Sequence, residues 1–143
     1  MKNSEKIVDS IFEEVVKTTN DNRIKLIEDT INYLNENNIV VNLDHYELYL
    51  ILDEAISNAM EHGNKWIVDK HVILQIIFSS EKKIEIRVKD EGDGFDPEIV
   101  PIKTGEIKPL ISRGRGIIII KKFCEVIWNN VGNEIRLFLS IAG

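Results

Sequence analysis

Three short stretches combine residue types that could do chemistry together. The first is Glu54 and Asn58, four residues apart on a predicted helix, so that their side chains lie one above the other. Asn58 offers a neutral oxygen of the kind a Mg²⁺ ion accepts while keeping most of its waters. Glu54 could take a proton from a hydroxyl or a water. The competing interpretation is a solvated helix face that happens to carry a Glu and an Asn. The second stretch is Asp90-Glu91-Gly92-Asp93-Gly94-Phe95. The run before it places Ile84, Ile86 and Val88 on the inward side of a strand, and Asp90 falls on the same parity. An inward carboxylate is costly unless something donates to it. The amino group of a purine is one such donor, and it would confer base selectivity. Gly92 and Gly94 would then remove side chains where a ligand approaches the backbone. An ordinary Asp/Gly turn is the alternative, whereas an EF-hand loop fails, because its third and fifth positions counted from Asp90 are glycines.

The third stretch, Ser112-Arg113-Gly114-Arg115-Gly116-Ile117, runs directly into a predicted helix. Glycines ahead of a helix N-terminus expose backbone N–H groups at the positive end of the dipole, and the two arginines add bidentate donors for phosphate. A plain loop before a helix is the competing interpretation. No G-x-x-x-x-G-K-S/T occurs, which excludes a P-loop.

Amphipathic segments must position these residues. Ile24, Ile27, Ile31 and Leu34 recur at helical spacing, and Asn35–Asn38 ends that helix. Asp44 with Glu47 has the form of a capping box for a second helix, whose apolar stripe of Tyr49, Leu52, Ile56 and Ala59 runs through Met60. Gly63 is its expected C-terminal stop. Val72–Phe78 and Lys83–Asp90 read as a hairpin of strands, as do Glu125–Asn130 and Glu134–Ile141. Ile7–Thr18 reads as a strand, alone or after a short helix. Pro97–Ser112 is a long, lid-like loop, and a short helix follows Gly116 as far as Phe123 or Cys124. Paired strands and separate helices predict an α+β two-layer sandwich, with a mostly antiparallel mixed sheet carrying helices on one face.

The 143 residues fit one domain spanning 1–143, and 43% hydrophobic with 29% charged residues is an ordinary globular balance. A net charge of −6 argues against nucleic acid as partner. The single Cys124 fits a reducing compartment. No apolar run approaches membrane-spanning length, so a cytoplasmic location away from any membrane is the expectation. His45 and His71 lack neighbours at metal-ligand spacing. Cys124 reads as a small core residue, and Trp66 and Trp128 as packing or partner-surface residues.

Taken in order, the three stretches resemble the boxes of the GHKL ATPase superfamily, the Bergerat fold. Glu54 through Asn58 and His62 to Gly63 look like its N box, Asp90 to Phe95 its G1 box, and Gly114-Arg115-Gly116 its G2 box, within a match from about Asp44 to Ile141. The wording is most similar to anti-sigma factor serine kinases of the SpoIIAB/RsbW type. That resemblance implies ATP and Mg²⁺ as cofactors, Glu54 as catalytic base, Asn58 as Mg²⁺ ligand and Asp90 as the adenine-reading carboxylate. It puts Gly92 and Gly94 under the base, with Phe95 in the same box, and Arg113 to Ile117 at the phosphates. His62 closes the N box, and Pro97–Ser112 is the ATP lid. It further implies a STAS-type anti-anti-sigma factor and a sigma factor as protein partners; homodimerisation through the N-terminal segment is compatible with it. A nucleotide-gated binding module without kinase activity is the alternative. Gly132-Asn133 stands where this family usually has Gly-Thr.

Overall fold

The computed structural model describes residues 11–92, 118–129 and 133–142. Strand β1 (Phe12–Lys17) leads through Thr18 into helix α1 (Asn20–Glu36), then α2 (His45–Asn58), β2 (His71–Ser80), β3 (Lys83–Lys89), a helical turn at 118–121, β4 (Glu125–Trp128) and β5 (Glu134–Ser140). The five strands form one sheet in the order β1-β2-β3-β5-β4. Every pairing in it is antiparallel, so the described sheet is antiparallel throughout rather than mixed. The helices cover one face of it, as a two-layer α+β sandwich requires.

Local chemistry fixes the helix ends. Thr19 caps α1, its side chain accepting from Asn22 N–H at 3.1 Å. At the other end Ile39 N–H reaches Leu34 O and Asn38 N–H reaches Asn35 O, with Asn38 left-handed at φ 57°. This is a Schellman stop with asparagine in place of glycine. The capping box of α2 is present in full: Asp44 Oδ1 accepts from Glu47 N–H at 2.8 Å, and Glu47 Oε1 accepts from Asp44 N–H at 3.0 Å.

Leu26, Ile27, Ile31 and Leu34 of α1 and Ile51, Leu52, Ile56 and Met60 at α2 pack on Leu74, Ile76, Ile84, Ile86, Val88, Leu137 and Leu139. Ile24, expected in the α1 stripe, is 38% exposed; Thr30 takes a fully buried place instead, its hydroxyl donating to Leu26 O at 2.7 Å. The β2–β3 hairpin is longer than its alternation suggested: pairing continues to Ser80↔Lys83 past an irregularity after Phe78. On the opposite face of the sheet, Glu85 is buried beneath Arg87 and Arg136, both of which pair with it. No described helix is long and apolar enough to cross a membrane.

Candidate functional site

Helix α2 carries Glu54 and Asn58 on successive turns, and both are half-buried rather than solvated. Arg23 of α1 pairs with Asp53, and Ser57 Oγ donates to the same Asp53 Oδ1 at 3.0 Å, which ties this part of α2 to the start of α1. After Asn58 the helix widens into a π turn, Ala59–Gly63, closed by Asn64 N–H on Ala59 O at 2.8 Å. Such turns are rare and recur at functional sites. His62 lies in this turn, with Nε2 3.9 Å from Glu61 Oε2.

Gly63 is not a left-handed stop. The positive φ angles here fall two and three residues after Gly63, at Lys65 (53°) and Trp66 (57°), and Asn64, directly after Gly63, is right-handed. The physical reason for glycine lies elsewhere: a Cβ on Gly63 would stand 2.5 Å from Asp90 Oδ1 and closer still to the rest of that carboxylate. Gly92 in turn stands against Gly63 itself. A Cβ there would come within 2.6 Å of Gly63 C and nearer its carbonyl oxygen. Within the protein, therefore, the space left by Gly92 is filled by the backbone of Gly63 rather than held open.

Asp90 is 7% exposed, as strand parity predicted. Its own N–H donates to Asn133 O at 2.9 Å, and its Oδ1 accepts from Gly92 N–H at 2.7 Å. Asn133 occupies the position where Thr was expected, and its side chain turns to Asn129: Asn129 Nδ2 donates to Asn133 Oδ1 at 2.8 Å, and Asn133 N–H donates to Asn129 Oδ1 at 3.1 Å. The structure thus brings the end of α2, the end of β3 and the start of β5 to one corner. Of the predicted site residues, Glu54, Asn58, His62, Asp90 and Gly92 lie in the elements that meet here. Gly94, Phe95, Arg113, Gly114, Arg115, Gly116 and Ile117, with the Pro97–Ser112 lid, lie outside the described residues.

The other candidates fall to local pairing, packing or exposure. His71 Nδ1 lies 3.2 Å from Glu91 Oε2, and His45 stacks loosely against Tyr49 with ring centroids 6.4 Å apart. Trp128 packs on the core with Lys121 Nζ 5.7 Å from its ring centroid, whereas Trp66 is 42% exposed. Cys124 is half-buried, and burial pushes its thiol up to about 12. The helix expected after Gly116 reaches only residue 121 before turning.

A protein-family model for the histidine kinase-like ATPase domain matches residues 17–139. The chain belongs to that family and, with it, to the GHKL superfamily. ATP is the nucleotide such a domain binds. Among solved structures, a mycobacterial sensor histidine kinase, MprB, is similar over 91% of this chain and 98% of its own, with a TM-score of 0.52 and 13% identity. At that identity the likeness speaks to the fold. No curated protein matches the sequence.

Asp90, Glu54 and Asn58 are of the chemical types that a nucleotide with a metal ion would require. A carboxylate buried at a strand end, with one oxygen accepting from Gly92 N–H, is the type of acceptor that an exocyclic amino group would need. At α2, a carboxylate and an amide oxygen are the hard donors that Mg²⁺ prefers.

Proposed function

We propose that the chain is an ATP- and Mg²⁺-dependent protein serine kinase that phosphorylates a small STAS-type anti-anti-sigma partner and otherwise holds a sigma factor inactive. The observation that carries this reading is the buried Asp90 locked against Gly63 at the end of the helix that bears Glu54 and Asn58. A base-reading carboxylate alone would serve a binding module. A half-buried glutamate with a metal-capable amide one turn below it adds what transfer needs. The wording of the N, G1 and G2 boxes supports the anti-sigma subtype.

In this reading Asp90 accepts from the adenine amino group, Asn58 ligates Mg²⁺, and Arg113 to Ile117 meet the phosphates. His62, Gly94 and Phe95 belong to the nucleotide-contacting boxes. When bound, ATP with Mg²⁺ supplies the γ-phosphoryl group with its charge partly neutralised. Glu54 accepts the proton of the partner's serine hydroxyl as the serine oxygen bonds to phosphorus. The bond from phosphorus to the β–γ bridging oxygen breaks, and ADP leaves. Most of the acceleration comes from positioning and charge neutralisation.

The test is to incubate the protein with γ-labelled ATP and candidate STAS-domain proteins. Phosphoserine that forms with the wild type and is lost in Glu54→Ala supports the kinase. Partner affinity that depends on ATP without any phosphate transferred replaces it with a nucleotide-gated binding module.

A further inference from the structure

Asn64 is fully buried, and every hydrogen-bonding group of its side chain is engaged. Its Nδ2 donates to Thr18 Oγ1 at 2.9 Å and to His71 O at 3.0 Å. Its Oδ1 accepts from Glu91 N–H at 2.8 Å. The Thr18 hydroxyl spends its single hydrogen on Lys70 O at 2.7 Å, so toward Asn64 it can only accept. That fixes which way the Asn64 amide points. One side chain therefore joins the end of β1, the start of β2, the end of the α2 helical segment and the residue after Asp90.

The consequence falls on Asp90. The peptide N–H groups on both sides of its Cα are pinned, its own by Asn133 O and that of Glu91 by Asn64 Oδ1. With the backbone held at both ends, the carboxylate stands in the space that Gly63, lacking a Cβ, leaves for it. Around Asn64 the chain accepts conformations that it would not choose alone. A π turn precedes it, and two successive non-glycine residues, Lys65 and Trp66, follow it with positive φ. Trp66 N–H on Met60 O at 2.9 Å and Ile67 N–H on Asn64 O at 3.0 Å close the loop over the buried amide. Residues in such backbone regions persist only where their surroundings over-determine them.

We propose that Asn64 is a positioning residue for base selection: its amide holds the Asp90–Glu91 peptide so that the Asp90 carboxylate faces the amino group of adenine. This rests on the assignment of Asp90 as the adenine acceptor. Asn64→Asp keeps the shape and an oxygen for Glu91 N–H but sets an oxygen against Thr18 Oγ1 and His71 O. Thr18→Val leaves Asn64 in place and removes its anchor on β1.

The experiment is calorimetric titration of wild type and both variants with Mg²⁺-ATP and Mg²⁺-inosine triphosphate, which lacks the amino group, well below each variant's melting temperature. Wild type prefers ATP. In Asn64→Asp the ratio of the two affinities falls by about tenfold, which corresponds to one misaligned hydrogen bond to a charged acceptor, while inosine triphosphate binding stays near wild type. Thr18→Val shifts the ratio the same way by less, and it carries the test if Asn64→Asp does not fold. A purely structural role lowers the melting temperature and leaves the ratio in the folded protein unchanged. That result, with the wild-type preference intact, overturns the proposal alone. A wild type that binds ATP and inosine triphosphate equally overturns the Asp90 assignment together with it.

Discussion

Replacing Gly63 with alanine places a methyl group in space that the Asp90 carboxylate occupies. The added Cβ would sit 2.5 Å from Asp90 Oδ1 and nearer its other atoms, well inside van der Waals contact, so the carboxylate or the π turn must move. Overpacking of this kind costs about 1–3 kcal/mol, and in a domain of this size each kcal/mol lowers Tm by roughly 2–6 °C. If the side chain yields, the acceptor for adenine yields with it. A hydrogen bond to a charged group is worth about 1.5–3 kcal/mol, so ATP affinity falls by about 10- to 150-fold. Gly92→Ala is the informative partner. Its Cβ would meet the carbonyl group and Cα of Gly63, which cannot rotate away, so it costs more stability than Gly63→Ala. Urea denaturation and calorimetric titration with ATP read the two effects separately. Wild-type stability together with wild-type ATP affinity in Gly63→Ala would refute the interlock of Gly63, Asp90 and Gly92.

Further predictions follow from the same structure. Asp44→Ala removes one half of the α2 capping box and lowers stability by about 1 kcal/mol in urea denaturation, with no loss of cooperativity. Ile86→Ala, at a fully buried position of the central strand β3, costs about 2–5 kcal/mol by the same measurement. The Cys124 thiol, raised to about 12 by burial, stays protonated at neutral pH. It reacts with a thiol-directed disulfide reagent far more slowly in native protein than in urea, and equal rates would refute the burial argument.

The architecture and the burial of Asp90 were legible because their signals are local. The Asp44/Glu47 box, the α2 stripe and the parity of Ile84, Ile86, Val88 and Asp90 each lie within one element, and periodicity reports them. Gly63 shows where that reasoning stops. A glycine after a helix reads as a left-handed cap, yet here it is demanded by a carboxylate from β3, a contact no short window contains. Asn64 is the stronger case, since its side-chain partners lie 46, 7 and 27 residues away. Its sequence neighbours, Gly63 before it and the exposed Trp66-Ile67-Val68 run after it, carry no sign of these partners. Ile24 erred the other way: its spacing fits the stripe, but α1 presents Leu26 and Thr30 to the sheet instead.

The most direct test of the central claim is calorimetric binding of Mg²⁺-ATP to the wild type and to Asp90→Asn. Saturable one-site binding to the wild type is expected. In Asp90→Asn the expected affinity is lower by about tenfold or more, because an amide is a weaker acceptor than a carboxylate and can present its own donor to the adenine amino group. No binding to folded wild type, or equal affinity in the two proteins, would contradict the claim.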